Sequence, residues 1–301
     1  MFKALLVPLD GSPLAEQALP TAARLACALG AELHLVHVHV AASLDPISIE
    51  GLPVIDEELH SLAAEHERVY LERVAAQVAG DGLQPIVTRI EGAVVQALTS
   101  YARAIQAGLI VMTTHGRSGF AHLWLGSVAE GLVQAAGTPL LLLRPDEHGV
   151  IANQLFRRVL VPLDGSPLAE AILPYATALA GLDGGEVVAL RVIDTLPVPA
   201  ALPFHERFRI DAATLAHQRS EAERYLQHVA ATLAPAVIQT QVIDADQPAR
   251  AILATAATLG ADLLALTTHG HNATTRATIS GITDKVLRGV TRPLLILRPG
   301  L

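Results

Sequence analysis

The eleven residues Leu6 to Glu16, LVPLDGSPLAE, recur unchanged as Leu160 to Glu170, 154 positions later. The same offset relates Thr113-Thr114-His115-Gly116 to Thr267-Thr268-His269-Gly270. It also relates Thr138-Pro139-Leu140 through Arg144-Pro145 to Arg292-Pro293-Leu294 through Arg298-Pro299. A period this long exceeds the twenty to fifty residues of solenoid repeats, and each copy has the length of an independent domain. The chain is therefore expected to hold two tandem domains, 1–145 and 157–301. The joining segment is 146–156, where Pro145, Gly149 and a short polar run interrupt the pattern.

Hydrophobic residues make up 51% of the chain and charged ones 17%, enough for each copy to bury a core of its own. A formal net charge of −8 with 3% aromatics argues against a phosphate-backbone surface and a base-stacking platform, so nucleic acid is not an expected partner. The N-terminus lacks a signal-peptide core, and no apolar run approaches eighteen residues. A cytoplasmic protein without a membrane partner is expected. Cys27, the only cysteine, lies in an Ala-rich helical stretch and is expected to be an inert buried thiol.

Copy one opens with an apolar run, Ala4 to Leu9, ended by Asp10-Gly11-Ser12-Pro13. This spells a strand and then a helix start, with Ser12 as N-cap and Pro13 in the first turn. The helix should continue to about Leu29, kinked by Pro20 and stopped by Gly30. Glu32 to Val40 predicts a second strand, Asp45 to Pro53 an irregular segment, and Asp56 to Val78 an amphipathic helix. Pro85–Ile90, Leu109–Thr114 and Leu140–Leu143 predict strands three to five, with helices over Ala93–Gln106 and Ser127–Ala136 between them. Strict alternation with short apolar strands implies an α/β fold: in each copy a doubly wound, parallel five-stranded sheet covered on both faces. With strand order 3-2-1-4-5, the ends of strands one and four adjoin at the switch point, where such sheets bind ligands. Asp10-Gly11-Ser12 and Thr113-Thr114-His115-Gly116 would then face each other across one crevice.

After strand four the chain runs through Gly116, Arg117 and Gly119 to Gly126-Ser127 and a helix. Glycines admit backbone N–H groups to an anion, the helix N-terminus adds unpaired donors, and Ser127 adds a hydroxyl. No Walker lysine follows a glycine-rich loop, and no GxGxxG follows strand one.

With these motifs in place, the chain resembles a tandem member of the universal stress protein family. That family carries an Asp at the end of strand one and a G-x2-G-x9-G-[S/T] nucleotide motif after strand four. The matching positions are Asp10, then Thr113, Gly116, Gly126 and Ser127, with the nine-residue interval Arg117 to Leu125 intact. The resemblance implies an adenine nucleotide alpha hydrolase-like fold that binds ATP, with or without Mg, as a regulatory ligand in stress response. It implies that Asp10 meets the ribose, that the Val38 backbone meets adenine, and that Gly116, Gly126 and Ser127 hold phosphates, with Arg117 as an added contact. Pro8, Leu9, Met112, His115 and Val128 complete the implied nucleotide set. Thr113 departs from the motif's first glycine, and its β-branched side chain would crowd the ribose.

Copy two keeps Asp164, Val192 and Gly270, repeats the threonine as Thr267, and reverses the last pair to Ser280-Gly281. If the first position of that pair needs a glycine conformation or a close phosphate approach, Ser280 weakens a second site. Binding is thus expected mainly in copy one, with copy two pairing to it as a pseudo-dimer through the final strands; a further homodimer is left open.

His34, His37 and His39 cluster near strand two, but no Cys pair or HExxH spacing accompanies them. They are expected to be ordinary surface or strand histidines, and no metal site or catalytic residue is assigned. Three functions stay open: a regulatory ATP-binding protein, a nucleotide-independent scaffold of the same fold acting through protein partners, and an ATP-cleaving enzyme. For the last, no water-activating base is identifiable.

Overall fold

A computed structural model describes residues 1–40, 48–49, 52–53, 57–80, 82–114, 125–145, 149–151, 153, 155–195, 211–268 and 281–300. The chain divides into two compact units, Met1–Gln154 and Leu155–Leu301.

The first unit runs β1 (Ala4–Leu9), α1 (Pro13–Glu16), α2 (Leu19–Leu29), β2 (Glu32–His39), β3 (Ser48–Ile49), β4 (Leu52–Pro53), α3 (Glu57–Val78) and β5 (Ile86–Glu91). It continues with α4 (Val94–Ala104), β6 (Leu109–Thr113), α5 (Ser127–Ala135) and β7 (Leu140–Leu143). Its main sheet has the order β5-β2-β1-β6-β7. All its pairings are parallel, β1 lying against β2 (Ala4↔Glu32) and β6 (Leu5↔Leu109). In order of strand appearance this is the expected 3-2-1-4-5. The inner strands are apolar on both faces: every residue of β6 and β7 is buried, as a sheet covered on both sides requires. Edge strand β5 exposes Ile86, Val87 and Glu91. Within the expected irregular segment, β3 and β4 form a two-residue antiparallel pair.

The second unit repeats the plan. It runs β8 (Arg158–Pro162), α6 (Pro167–Glu170), α7 (Leu173–Gly181), β9 (Glu186–Asp194), α8 (Ala212–Thr232), β10 (Ile238–Ala245), α9 (Pro248–Thr258), β11 (Leu263–Thr267), α10 (Gly281–Gly289) and β12 (Leu294–Leu297). Its sheet order is β10-β9-β8-β11-β12, again parallel.

Two expectations need correction. Pro20 breaks the first helix where a kink was expected: α1 stops at Glu16, and α2 restarts at Leu19 with Pro20 at its second position. A proline ring collides with the carbonyl four residues back and supplies no N–H, whereas in a first turn it costs nothing. Pro174 does the same between α6 and α7. Cys27 is exposed; α2 buries Leu19, Ala22, Leu25 and Ala26, which places Cys27 on the solvent side. Gly30 does stop α2, at φ 61°, with Ala31 N–H reaching Ala26 O at 2.9 Å.

The segment after β7 is tied to the first unit. The Gln17 side chain donates to Gly149 O (3.0 Å) and accepts from Ile151 N–H (3.2 Å), and Arg24 donates to Asn153 O (2.8 Å). The corresponding residues of copy two are Ala171 and Ala178.

Candidate functional site

The turn after β1 is built by its own polar groups. Asp10 Oδ1 accepts from Ser12 N–H (2.9 Å) and Ser12 Oγ (2.6 Å), while Ser12 Oγ accepts from Ala15 N–H (3.2 Å) and caps α1. Gly11 between them has φ 83°, a left-handed conformation open to glycine without strain. This turn holds the Asp10 carboxylate at the carboxyl end of the sheet, beside the end of β6. There Thr114 N–H bonds Leu143 O (3.1 Å), and Thr114 O accepts from Gly126 N–H at 2.7 Å. The start of α5 is thereby pinned to Thr114, the residue that follows β6, itself bonded to the end of β7.

Gly126 is the N-cap of α5 and brings no side chain to it, so the first-turn N–H groups have no side-chain cap. Uncapped donors and the helix dipole suit an anion. The φ of Gly126 is −67°, which any residue adopts. Conformation therefore does not require glycine here; what the missing side chain leaves is open space before the α5 N-terminus.

These elements enclose a cleft of about 560 Å³. Of the residues implied by the sequence, Pro8, Leu9 and Asp10 line it from β1 and its turn, Val38 from β2, Met112 and Thr113 from β6, and Gly126, Ser127 and Val128 from α5. His115, Gly116 and Arg117 lie outside the described residues. Thr113 is buried at the cleft wall, where its β-branched side chain replaces the motif's first glycine.

Sequence reasoning missed the fourth wall. Ala63, His66, Glu67 and Tyr70 of α3 line the same cleft, joined by His37 of β2. Their i, i+3, i+4, i+7 spacing marks one helical face, but nothing local says that the face meets the crevice. The histidines are strand residues of β2, as one of the two expected alternatives had it, and not surface groups. His34 and His37 are buried, on opposite faces of β2. His34 Nδ1 meets the Tyr101 hydroxyl at 3.0 Å. His37 Nδ1 donates to Leu9 O at 2.8 Å, which brings its Nε2 to 3.6 Å from Glu67 Oε1. His39 Nδ1 donates to that same oxygen at 2.8 Å, and Arg89 Nε donates to Glu67 Oε2 at 2.7 Å. Burial raises the Glu67 carboxyl, but the hydrogen bonds from His39 and Arg89 and the charges of both histidines outweigh it, leaving it below the ordinary value. Burial, with the charges of Glu16 and Asp10, pushes the Tyr70 phenol up to about 12. Arg73 stacks 5.3 Å above the Tyr70 ring and pairs with Glu16 at 2.7 Å. Among the described residues, no three His, Cys, Asp or Glu side chains are grouped as metal ligands.

The donor set fits a nucleoside phosphate: a carboxylate for ribose hydroxyls, apolar Val38, Met112 and Val128 for a base, and the α5 N-terminus with Ser127 for phosphate.

In the second unit Asp164, Val192 and Thr267 line a cleft of about 180 Å³. Asp164 Oδ1 accepts from Ser166 N–H at 2.9 Å, as in copy one. Gly281 begins α10 and does not line the cleft; Gly270 and Ser280 lie outside the described residues.

Fold and cleft together define a doubled α/β protein with a cleft at the switch point of each sheet. The universal stress protein family model matches residues 1–144 and 155–298, and the chain belongs to that family. It is 28% identical over 197 residues to a universal stress protein of Mycobacterium tuberculosis, a match covering 64% of this chain and 62% of that relative's length. Universal stress protein YxiE of Bacillus subtilis, 29% identical, is covered over its full length by 48% of the chain. The crystal structure of a universal stress protein from Archaeoglobus fulgidus shares the fold at TM-score 0.72 and 22% identity, covering 99% of both chains.

Among the described residues no helix is long and apolar enough to cross a membrane.

Proposed function

We propose that this chain binds an adenine nucleotide, ATP with or without Mg, in the cleft of its first unit, as a regulatory ligand in a cytoplasmic stress response. The observation that carries this reading is the convergence of Asp10, the Val38 end of β2 and the uncapped N-terminus of α5 on one cleft of about 560 Å³. That volume falls in the range of about 300–1,000 Å³ usual for small-molecule sites. The sequence motif supports the same reading, since Gly116 and Arg117 belong to the glycine loop that precedes Gly126-Ser127.

ATP is held on this reading and not rapidly turned over. Of the two carboxylates that line the cleft among the described residues, Asp10 organises its turn and Glu67 is held by His39 and Arg89. Neither is aimed as a general base at an attacking water.

The domain limits 1–145 and 157–301, a pseudo-dimer joined through the fifth strands, and protein partners that read the nucleotide state complete the proposal. Mass spectrometry of small molecules released from the denatured, freshly purified protein, followed by calorimetric titration with ATP, tests it. Saturable binding that is lost in Asp10→Ala is the expected result. A chain that takes up no nucleotide would leave the scaffold reading.

A further inference from the structure

The two clefts differ in charge and reach at one position of the second strand. At the constant offset Pro8 corresponds to Pro162, Asp10 to Asp164, Val38 to Val192 and Thr113 to Thr267, and several apolar positions exchange one apolar side chain for another, as Met112 for Leu266; at His37 an imidazole is replaced by the guanidinium of Arg191. Both side chains reach back to the carbonyl that ends the first strand: His37 Nδ1 to Leu9 O at 2.8 Å, Arg191 Nη1 to Leu163 O at 3.1 Å. Beyond that shared bond they diverge. The short imidazole ends toward Glu67, and the α3 wall stays open to the cleft. The longer arginine carries its guanidinium onto the turn itself: a Cβ placed on Gly165 would lie 3.8 Å from Nη1 and 3.9 Å from Cζ.

The partner helix follows suit. Tyr225 stands to Glu170 and Asp164 as Tyr70 does to Glu16 and Asp10, its hydroxyl donating to Glu170 at 2.9 Å. Three residues before Tyr225 is the buried Ala222, where Glu67 precedes Tyr70 by three. At the α8 position equivalent to Glu67, copy two thus has a methyl group in place of the carboxylate. No α8 residue lines the second cleft, and its volume of about 180 Å³ is below what small-molecule sites of about 300 Å³ or more provide.

We propose that Arg191 closes the second cleft to nucleotide, so that the exchange of His37 for Arg191 decides which copy is loaded. This rests on the reading that the first cleft takes adenine nucleotide. A bound base beside Val192 must displace a guanidinium that is hydrogen-bonded to Leu163 O and packed on the turn, and loses that bond and contact.

Calorimetric titration of the full chain with ATP tests this in three proteins: wild type, Arg191→His and His37→Arg, each first checked for a cooperative melt. The wild type is expected to bind one nucleotide per chain and R191H two, the added one lost again when Asp164→Ala is combined with it. H37R is expected to lose affinity by about tenfold or more. R191A, which removes the side chain without asking a histidine to fit, gives the same reading should R191H melt early. An R191H or R191A chain with wild-type stoichiometry overturns the proposal. So does H37R with wild-type affinity, or a wild type whose second site is already filled. A wild type that binds nothing overturns the reading of the first cleft alone, because R191H still reports on the second by binding one.

Discussion

At the scale of single residues, the aspartate that ends the first strand has two duties that can be separated. Asp10 Oδ1 takes two hydrogen bonds from Ser12, an arrangement that needs an acceptor but not a charge. Asp10→Asn is therefore expected to melt close to wild type. Asp10→Ala strips the turn and costs about 1 kcal/mol, the usual contribution of such a bond. Both should diminish the thermal shift that ATP produces, and Asp164→Ala should affect it less; denaturation curves with and without ATP separate these outcomes. Glu67 supports a pH prediction. Its carboxyl is depressed in the folded state, so the unfolded chain binds the proton more tightly and the stabilisation is present above the ordinary value of 4.5. It fades as pH falls through the folded value. The gap in melting temperature between wild type and Glu67→Gln should accordingly be open at pH 7 and narrow once the medium is more acidic than the carboxylate range. A gap of constant width would mean that Glu67 is not ionised by His39 and Arg89 as the geometry requires.

At the scale of elements, α5 offers a test in which stability and binding move in opposite directions. Gly126 caps the helix with φ −67° and ψ 154°, angles open to an aspartate. Gly126→Asp adds the side-chain cap the helix lacks, worth a few tenths of a kcal/mol over glycine. It also sets a carboxylate where phosphate would sit, so ATP affinity should fall while the melting temperature holds or rises. Matched melting curves and titrations decide it. The same element shows what was legible beforehand. The alternation of strands and helices, the Ser12 cap, the Gly30 stop and the start of α5 at Ser127 all follow from local rules of period, capping and backbone freedom, and the structure bears them out, together with the strand order taken as a condition of the doubly wound fold. What local rules could not supply was packing. The face of α3 carrying Glu67 and Tyr70 looks like any amphipathic helix face until β2 is set beneath it. His37 and His39 were expected to be ordinary surface or strand histidines; they are strand residues, and their hydrogen bonds to Leu9 O and Glu67 could not be read from the sequence. Pro20 was expected to bend a helix; it divides one, because the segment before it is only a single capped turn.

At the scale of the whole molecule, two halves built on one plan carry different attachments. Gln17 and Arg24 fasten residues 149–153 to the first unit, and copy two has alanine at both positions. Gln17→Ala should leave the global melt almost unchanged while making the chain more readily cut between residues 146 and 156 by a non-specific protease, since local opening governs such cleavage. The consequence for function is larger. A ligand that binds only the folded chain stabilises it by an amount set by concentration over dissociation constant, about 2.7 kcal/mol at a hundredfold excess. If ATP is a ligand that acts by occupancy, this shift should saturate, persist for as long as the sample is kept, and decline in Asp10→Ala. An enzyme behaves otherwise: its stabilisation decays as substrate is consumed. In-line hydrolysis needs a water held and deprotonated opposite the leaving oxygen. In the first cleft Glu67 Oε1 is bonded to His39 and Oε2 to Arg89, bonds that hold it ionised but turn it toward β2 and β5. The expected turnover is therefore far below about 1 per second, the low end of ordinary enzymes. Phosphate release measured alongside the thermal shift decides between the two, and turnover at that rate or above, abolished by Glu67→Gln with binding intact, would make the protein a hydrolase and assign Glu67 as its base.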